Sequence, residues 1–215
     1  DFSRQQLIQS IRESYAKADM ALRITPAPKI DAFSNMIDIS PIASPASPER
    51  DRLATSLALT PKERTVLVGF GGIPLTSLPL EQIGQLPHYR FLIDGPVPAG
   101  NSRIHSTETL PFSFKTLLAS VDVIMTKPGY GTIVEAVALQ QPVVSVRRYN
   151  FADEQPLVDH LQRHGRGIEL SLDDFTQGRW EQSLQQALAL PVPSLPPPPT
   201  GATEAAAFIA QQLRH

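Results

Sequence analysis

Cysteine is absent from all 215 residues, which excludes disulfides and thiolate metal sites and fits a reducing compartment. A basic excess is absent too. The 19 Lys and Arg stand against 21 Asp and Glu, a formal net charge of −2, so the charge balance recruits neither nucleic acid nor an anionic membrane. No apolar run approaches the roughly 18 residues of a membrane span, and no signal-peptide pattern is visible. The expected location is cytoplasmic, with no membrane association. Of the histidines His88, His105, His160, His164 and His215, only His160 and His164 share an i, i+4 spacing, and the flanking glutamate of a zinc helix is missing. That pair reads as a helix face and its last turn, and no metal is expected. No nucleophile elbow occurs. A P-loop is missing, because Lys127 precedes its glycines. The dinucleotide fingerprint is missing as well, since Gly69-Phe-Gly-Gly-Ile-Pro lacks the third glycine. No cofactor is expected.

What is abundant is proline: 21 residues, concentrated between Pro26 and Pro48 and between Pro191 and Pro199. Proline breaks helices and stiffens extended chain, so both clusters read as connections between packed units. Residues 1–34 read as the tail of a preceding domain, a helix over Phe2–Ala21 and a short strand ending at Ile24; the chain starts at Asp1, not Met. Residues 35–49 read as a linker, 50–190 as the main domain, 191–200 as a second linker and 201–215 as a C-terminal helix.

Within 50–190, apolar β-rich runs alternate with helical periodicity. Strands are expected at 65–70, 89–93, 103–105, 121–125, 142–146 and 167–170, with helices at 48–57 (capped by Ser47), 80–86, 113–120, 152–164 (closed by Gly165) and 172–190. That alternation predicts an α/β fold, a doubly wound, mostly parallel sheet with helices on both faces. Such sheets bind ligands outside the carboxyl ends of their strands, which selects the loops at Gly71-Gly72, after Ile104, at Pro128–Thr132 and at Arg147–Gln155.

The densest signal is Asp122-Val-Ile-Met-Thr-Lys-Pro-Gly-Tyr-Gly-Thr-Ile-Val-Glu-Ala-Val-Ala138, which reads as strand, glycine loop and a helix from Thr132. A glycine loop feeding a helix N-terminus exposes backbone N–H groups beside the positive end of the helix dipole, a ready anion site. A second reading stays open at this point: Thr132-x-x-Glu135 matches a capping box, which makes Glu135 structural and the glycines mere turn residues. Trp180 reads as a core anchor, and Asp173-Asp174 as a helix cap.

These strings, Phe70-Gly-Gly72, Thr126-Lys-Pro-Gly-Tyr-Gly-Thr-Ile-x-Glu135-Ala, Pro142-Val-Val-x-Val-Arg-Arg148 and Glu154-Gln155-Pro, resemble the C-terminal half of a GT-B glycosyltransferase. The likeness covers about residues 60–190. It is similar to the glycosyltransferase-like module of plant arabinokinase, and more distantly to the bacterial peptidoglycan N-acetylglucosaminyltransferase and plant galactolipid synthases.

The resemblance implies a Rossmann-like half of a GT-B fold that binds a nucleotide-sugar donor, with UDP-sugar expected, opposite an N-terminal domain missing here that supplies the catalytic base. It places Gly129, Tyr130, Gly131 and Thr132 at the diphosphate, Glu135 at the ribose hydroxyls, and Gly71 and Gly72 where backbone approaches phosphate or acceptor. It suggests Asp153, Glu154 and Gln155 at the donor sugar. Lys127, Arg147 and Arg148 offset phosphate charge on this view; otherwise Lys127 snorkels at a strand end and the arginines pair with Glu154 or Asp153. The implied activity is glycosyl transfer to an unknown acceptor, with this fragment inactive alone. The alternatives are an epimerase or hydrolase on the same scaffold, or a non-catalytic nucleotide-binding regulatory module.

Overall fold

A computed structural model describes residues 3–71 and 78–214. The chain forms two compact units, Asp1–Ile42 with Pro197–His215, and Ala43–Pro196.

The smaller unit contains helix α1 (Arg4–Tyr15), strands β1 (Ala21–Ile24) and β2 (Met36–Ile39), and the last helix, α9 (Gly201–Gln212). Strands β1 and β2 pair in parallel, so Met36–Ile39 is sheet where a linker was expected. The C-terminal helix, expected as a segment of its own, joins this unit. Ile42 bridges Thr200, Gly201 N donates to Pro41 O at 3.1 Å, and Ser40 N donates to Glu204 Oε2 at 2.9 Å. A Cβ on Gly201 would lie 2.0 Å from Ser40 O, so only glycine fits there. Helix α1 opens on a capping box from Ser3 and Gln6, but Leu7, Ile8, Ile11 and Tyr15 all remain exposed.

The larger unit begins with α2 (Arg50–Ser56) and β3 (Arg64–Gly69). It continues through α3 (Leu80–Ile83), β4 (Tyr89–Ile93), β5 (Ile104–Ser106), α4 (Phe114–Ser120), β6 (Val123–Thr126) and α5 (Tyr130–Ala138). Strand β7 (Pro142–Ser145), α6 (Glu154–His164), β8 (Arg166–Glu169), α7 (Leu172–Thr176) and α8 (Glu181–Ala189) complete it. Six strands lie in the order β5-β4-β3-β6-β7-β8, all parallel. Counted within the sheet this is 3-2-1-4-5-6, the doubly wound dinucleotide-fold order, and it reverses between β3 and β6.

Strand residues alternate between two apolar clusters. Val66, Val68, Phe91, Ile93, Val123, Met125 and Val144 face one with Ile83, Phe175, Trp180 and Leu184 of the α3, α7 and α8 side. Leu67, Leu92, Ile124 and Val143 face the other with Leu53, Leu117, Ile133, Leu157 and Leu161 of α2, α4, α5 and α6. Both faces are covered, which is why the strands read as near-continuous apolar runs. Each such buried side chain contributes about 1.5–3 kcal/mol.

Several local expectations change. Helix α2 is capped at Glu49, not Ser47. The helix expected over 172–190 breaks at Gly178, whose φ of +71° and tight approach to Gln82 admit no side chain. Trp180 follows, buried, stacked on Phe175 and donating Nε1–H to Phe175 O. Ser171 caps α7, while Asp173 and Asp174 hold Arg179. Gly165 ends α6 in extended backbone rather than a left-handed cap; a Cβ there would press on Leu161 and Val137 at 2.9 Å, so packing selects it.

Candidate functional site

The crevice where strand order reverses lies between the carboxyl ends of β3 and β6, paired through Gly69 and Thr126. Two loops leave it. After β3, Gly71 takes φ +53°, which favours glycine. Gly72 lies outside the described residues. After β6, Lys127 and Pro128 lead to Gly129, the N-cap of α5.

Helix α5 starts at Tyr130, two residues before the expected Thr132. Thr132 therefore sits inside the first turn and cannot cap, and no side chain caps this end. The capping-box reading of Thr132 and Glu135 is thus excluded. Gly131 and Thr132 carry first-turn N–H groups that have no intrahelical acceptor. Glycine inside a helix costs about 0.5–1 kcal/mol relative to alanine. Yet Gly131 has no positive φ, and a Cβ there would meet nothing within 4 Å. At Gly129 it would meet only Lys127 O, at 3.9 Å. Packing among the described residues therefore explains neither glycine, and Gly131 lies exposed in the first turn of the helix.

Glu135 is buried one turn further along α5. Its Oε1 lies 2.8 Å from Nζ of Lys115 on α4, a half-exposed lysine that sequence reading passed over. Nothing local marks Lys115, because the pairing joins two helices 20 positions apart. Asp122, at the opposite end of β6, accepts from Thr65 N and Oγ1 and is structural.

The β7–α6 loop is built differently. Glu154 is 1% exposed and accepts from Arg148 N, Arg148 Nε and Tyr149 N. Its carboxylate is spent on this loop, which corrects its expected place at a donor sugar. For Arg148 the salt-bridge reading holds, at 3.1 Å to Glu154. Tyr149 is held at φ +58°, a strained conformation for an aromatic residue, and its own N–H is tied to Glu154. Arg147 bonds Gln155 Oε1 at 2.9 Å, so Gln155 is partly committed too. Asp153 is the N-cap position of α6 without a side-chain cap bond.

Beside this loop opens a cavity of about 380 Å³ over Phe70, Val146 and Leu172, rimmed by Lys127, Arg147, Arg148 and Tyr149. Phe70, Tyr149 and Leu172 were not singled out in the sequence, because an apolar residue at a strand end carries no local mark of function. The Lys127 carbonyl accepts from Thr126 Oγ1 at 3.1 Å, but its ammonium makes no hydrogen bond or ion pair among the described residues. Its pKa is lowered, first by burial and then by the neighbouring Arg148. Lys127 thus joins the two glycine loops: its Nζ would lie 3.8 Å from a Cβ on Gly71. The structure brings Gly71, Lys127, Gly129, Gly131 and Thr132 to one crevice, packs the Tyr130 side chain against the apolar cluster of α2, α4, α5 and α6, sets Glu135 one turn along, and puts Arg147 on the rim of the cavity.

No family model matches the sequence. Over 198 residues the chain is 25% identical to the L-arabinokinase of Arabidopsis thaliana, covering 88% of this chain and 18% of that protein. Among solved structures, the glycosyltransferase of kitacinnamycin superposes with a TM-score of 0.60 at 17% identity, over 88% of this chain and 54% of its own. Acinetobacter baumannii MurG gives 0.57 at 14% identity, over 98% and 63%. The glycosyltransferase VinC in complex with dTDP gives 0.50 at 15%, over 82% and 52%. The chain thus spans under a fifth of its curated relative and about half to two thirds of these structures. The fold is the Rossmann-like half of the GT-B glycosyltransferases.

Proposed function

We propose that this chain is the donor-binding half of a GT-B-type glycosyltransferase, taking a nucleoside diphosphate sugar, with UDP-sugar the first candidate. The observation that carries the reading is Gly131: a glycine in the first turn of a helix, with no described residue where its side chain would be, at the crevice where strand order reverses. Backbone N–H groups there suit a diphosphate, and Lys127 adds charge. Glu135, one turn on, suits two ribose hydroxyls, since an ionised carboxylate accepts both. A positive dipole end and a lysine stabilise a departing diphosphate without requiring a metal. The dTDP held by VinC supports a nucleotide at this fold and leaves thymine as a rival base to uracil. On this reading the catalytic base comes from an N-terminal domain that completes the transferase, and the present chain turns over little alone.

A second reading, a nucleotide-sensing module without catalysis, draws support from the curated relative, which is named as a kinase. Thermal unfolding with UDP, dTDP, GDP and ADP tests both at their common root. A ligand at about a hundred times its Kd adds roughly 2.7 kcal/mol, or several degrees for a domain of this size. A shift by one nucleotide that Glu135→Ala abolishes supports the donor site; no shift from any nucleotide refutes it. Release of sugar to an acceptor by the complete parent protein separates a transferase from a sensor.

A further inference from the structure

With Lys127 given to the diphosphate and Arg148 paired with Glu154, the cavity beside the β7–α6 loop still holds one guanidinium, that of Arg147, without a counter-charge among the described residues. Its lining crosses the carboxyl ends of four neighbouring strands: Phe70 after β3, Lys127 after β6, Arg147 after β7 and Leu172 after β8. At about 4.8 Å per strand step this spans roughly 14 Å. Phe70 and Val146 pack with the α3, α7 and α8 side of the sheet, whereas Glu135 rides on α5 on the other side. A donor with its ribose at Glu135 and its diphosphate at the start of α5 therefore points its next group toward this cavity.

Two guanidinium groups stand fixed there. Arg147 lies 4.5 Å over the Tyr149 ring and Arg148 lies 3.6 Å over the Phe151 ring. Stacking and the bonds to Gln155 and Glu154 hold them in place, so little side-chain freedom is left to lose on binding. Arg147 Nε and Arg148 Nη1 are shut from solvent and find no hydrogen-bond partner among the described residues. Shielded charged donors are seldom left unmatched. Arg148 has its counter-charge in Glu154, but Arg147 and Lys127 form no ion pair among the described residues.

We infer that this cavity takes a second anionic group, a carboxylate or phosphate borne by the transferred sugar or by the acceptor, in addition to the nucleotide's diphosphate. The inference rests on the nucleotide reading above. With Nη2 on Gln155 and Nε shielded, the Arg147 guanidinium offers its remaining N–H groups and its charge to either anion, and the apolar floor of Phe70, Val146 and Leu172 suits the carbon face of a sugar ring that carries it.

Calorimetric titration of the full 215-residue chain tests this with UDP, UDP-glucose and UDP-glucuronate, and with glucose 1-phosphate added to UDP-saturated protein. If the sugar carries the acid, UDP-glucuronate binds at least tenfold tighter than UDP-glucose, and Arg147→Gln removes that preference. If the acceptor carries it, glucose 1-phosphate binds the UDP complex and Arg147→Gln abolishes that binding. Arg147→Lys keeps the charge without the guanidinium; it is expected to retain part of either effect, and it replaces the Gln variant if that one fails to fold. Equal binding of the two sugars, no binding of glucose 1-phosphate, and a common loss for UDP and UDP-glucose in Arg147→Gln overturn the inference while the nucleotide reading stands. Failure of UDP, dTDP, GDP and ADP alike sinks the nucleotide reading and this inference with it.

Discussion

Two loops leave neighbouring strands at the same edge of the sheet and treat their polar groups in opposite ways. The β7–α6 loop is closed on itself, with Glu154 taking three N–H donors while stacking orders both arginines. The β6–α5 connection is more open: Gly129 in the loop, Gly131 in the first turn of a helix with no side-chain cap, and a lysine whose ammonium forms no ion pair among the described residues. On the nucleotide reading, part of the binding surface is rigid before binding and part is completed by the ligand. Rigid donors give discrimination, and exposed backbone gives close approach.

The sharpest way to break this contrast is Glu154→Ala. Removing one member of a buried ion pair typically costs about 3–5 kcal/mol, and urea unfolding is expected to show a loss of that order. The braced side also titrates through its helix. His160 on α6 is buried, and desolvation, with His164 and Arg163 nearby, lowers its pKa to about 4. The folded protein thus resists protonation that the unfolded chain accepts at about 6.5. The native state keeps its full margin above pH 6.5 and loses up to roughly 3 kcal/mol of it as pH falls to 4. Unfolding midpoints across that window should lose much of their slope in His160→Gln.

On the open side, Glu135→Ala is expected to weaken nucleotide binding about 10–100-fold in calorimetry, roughly 1.4–2.8 kcal/mol. Gly131→Ala sharpens the contrast furthest for its size. It should raise stability by about 0.5–1 kcal/mol, because glycine is disfavoured in a helix, while lowering nucleotide affinity. A stabilised variant that binds nucleotide as well as wild type removes the argument from Gly131. The smallest effect belongs to the surface pair Arg179–Asp174, where Arg179→Ala is expected to change stability by no more than about 1 kcal/mol.

Much of this arrangement was legible in the sequence. Every strand of the six-stranded sheet lies within two residues of its expected place, because buried parallel strands announce themselves as apolar runs. The glycine loop was legible for a similar reason: Gly129 and Gly131 are local facts. What escaped depends on distance along the chain. The Lys115–Glu135 pair joins two helices, and no periodicity links them. Glu154 sat beside glutamine in a suggestive string, and its burial under Arg148 and Tyr149 follows from a turn that composition does not reveal. The break at Gly178 was visible as a glycine, but its need for φ +71° appears only once Gln82 crowds it. Lys127 was open between two readings, and the structure adds where it stands, with its Nζ 3.8 Å from the place of a Cβ on Gly71.

The pairing of β3 with β6 also governs when this crevice comes into being. Residues 64–69 must wait for residues 123–126, more than fifty positions later, and such distant pairings close slowly because the intervening chain must first be ordered. During synthesis the loop after β3 therefore emerges without its counterpart, and the crevice does not exist until α5 has followed β6. Gain of nucleotide binding would then serve as a clock for the last step of assembly, one that secondary-structure signals, which local helices supply earlier, cannot read.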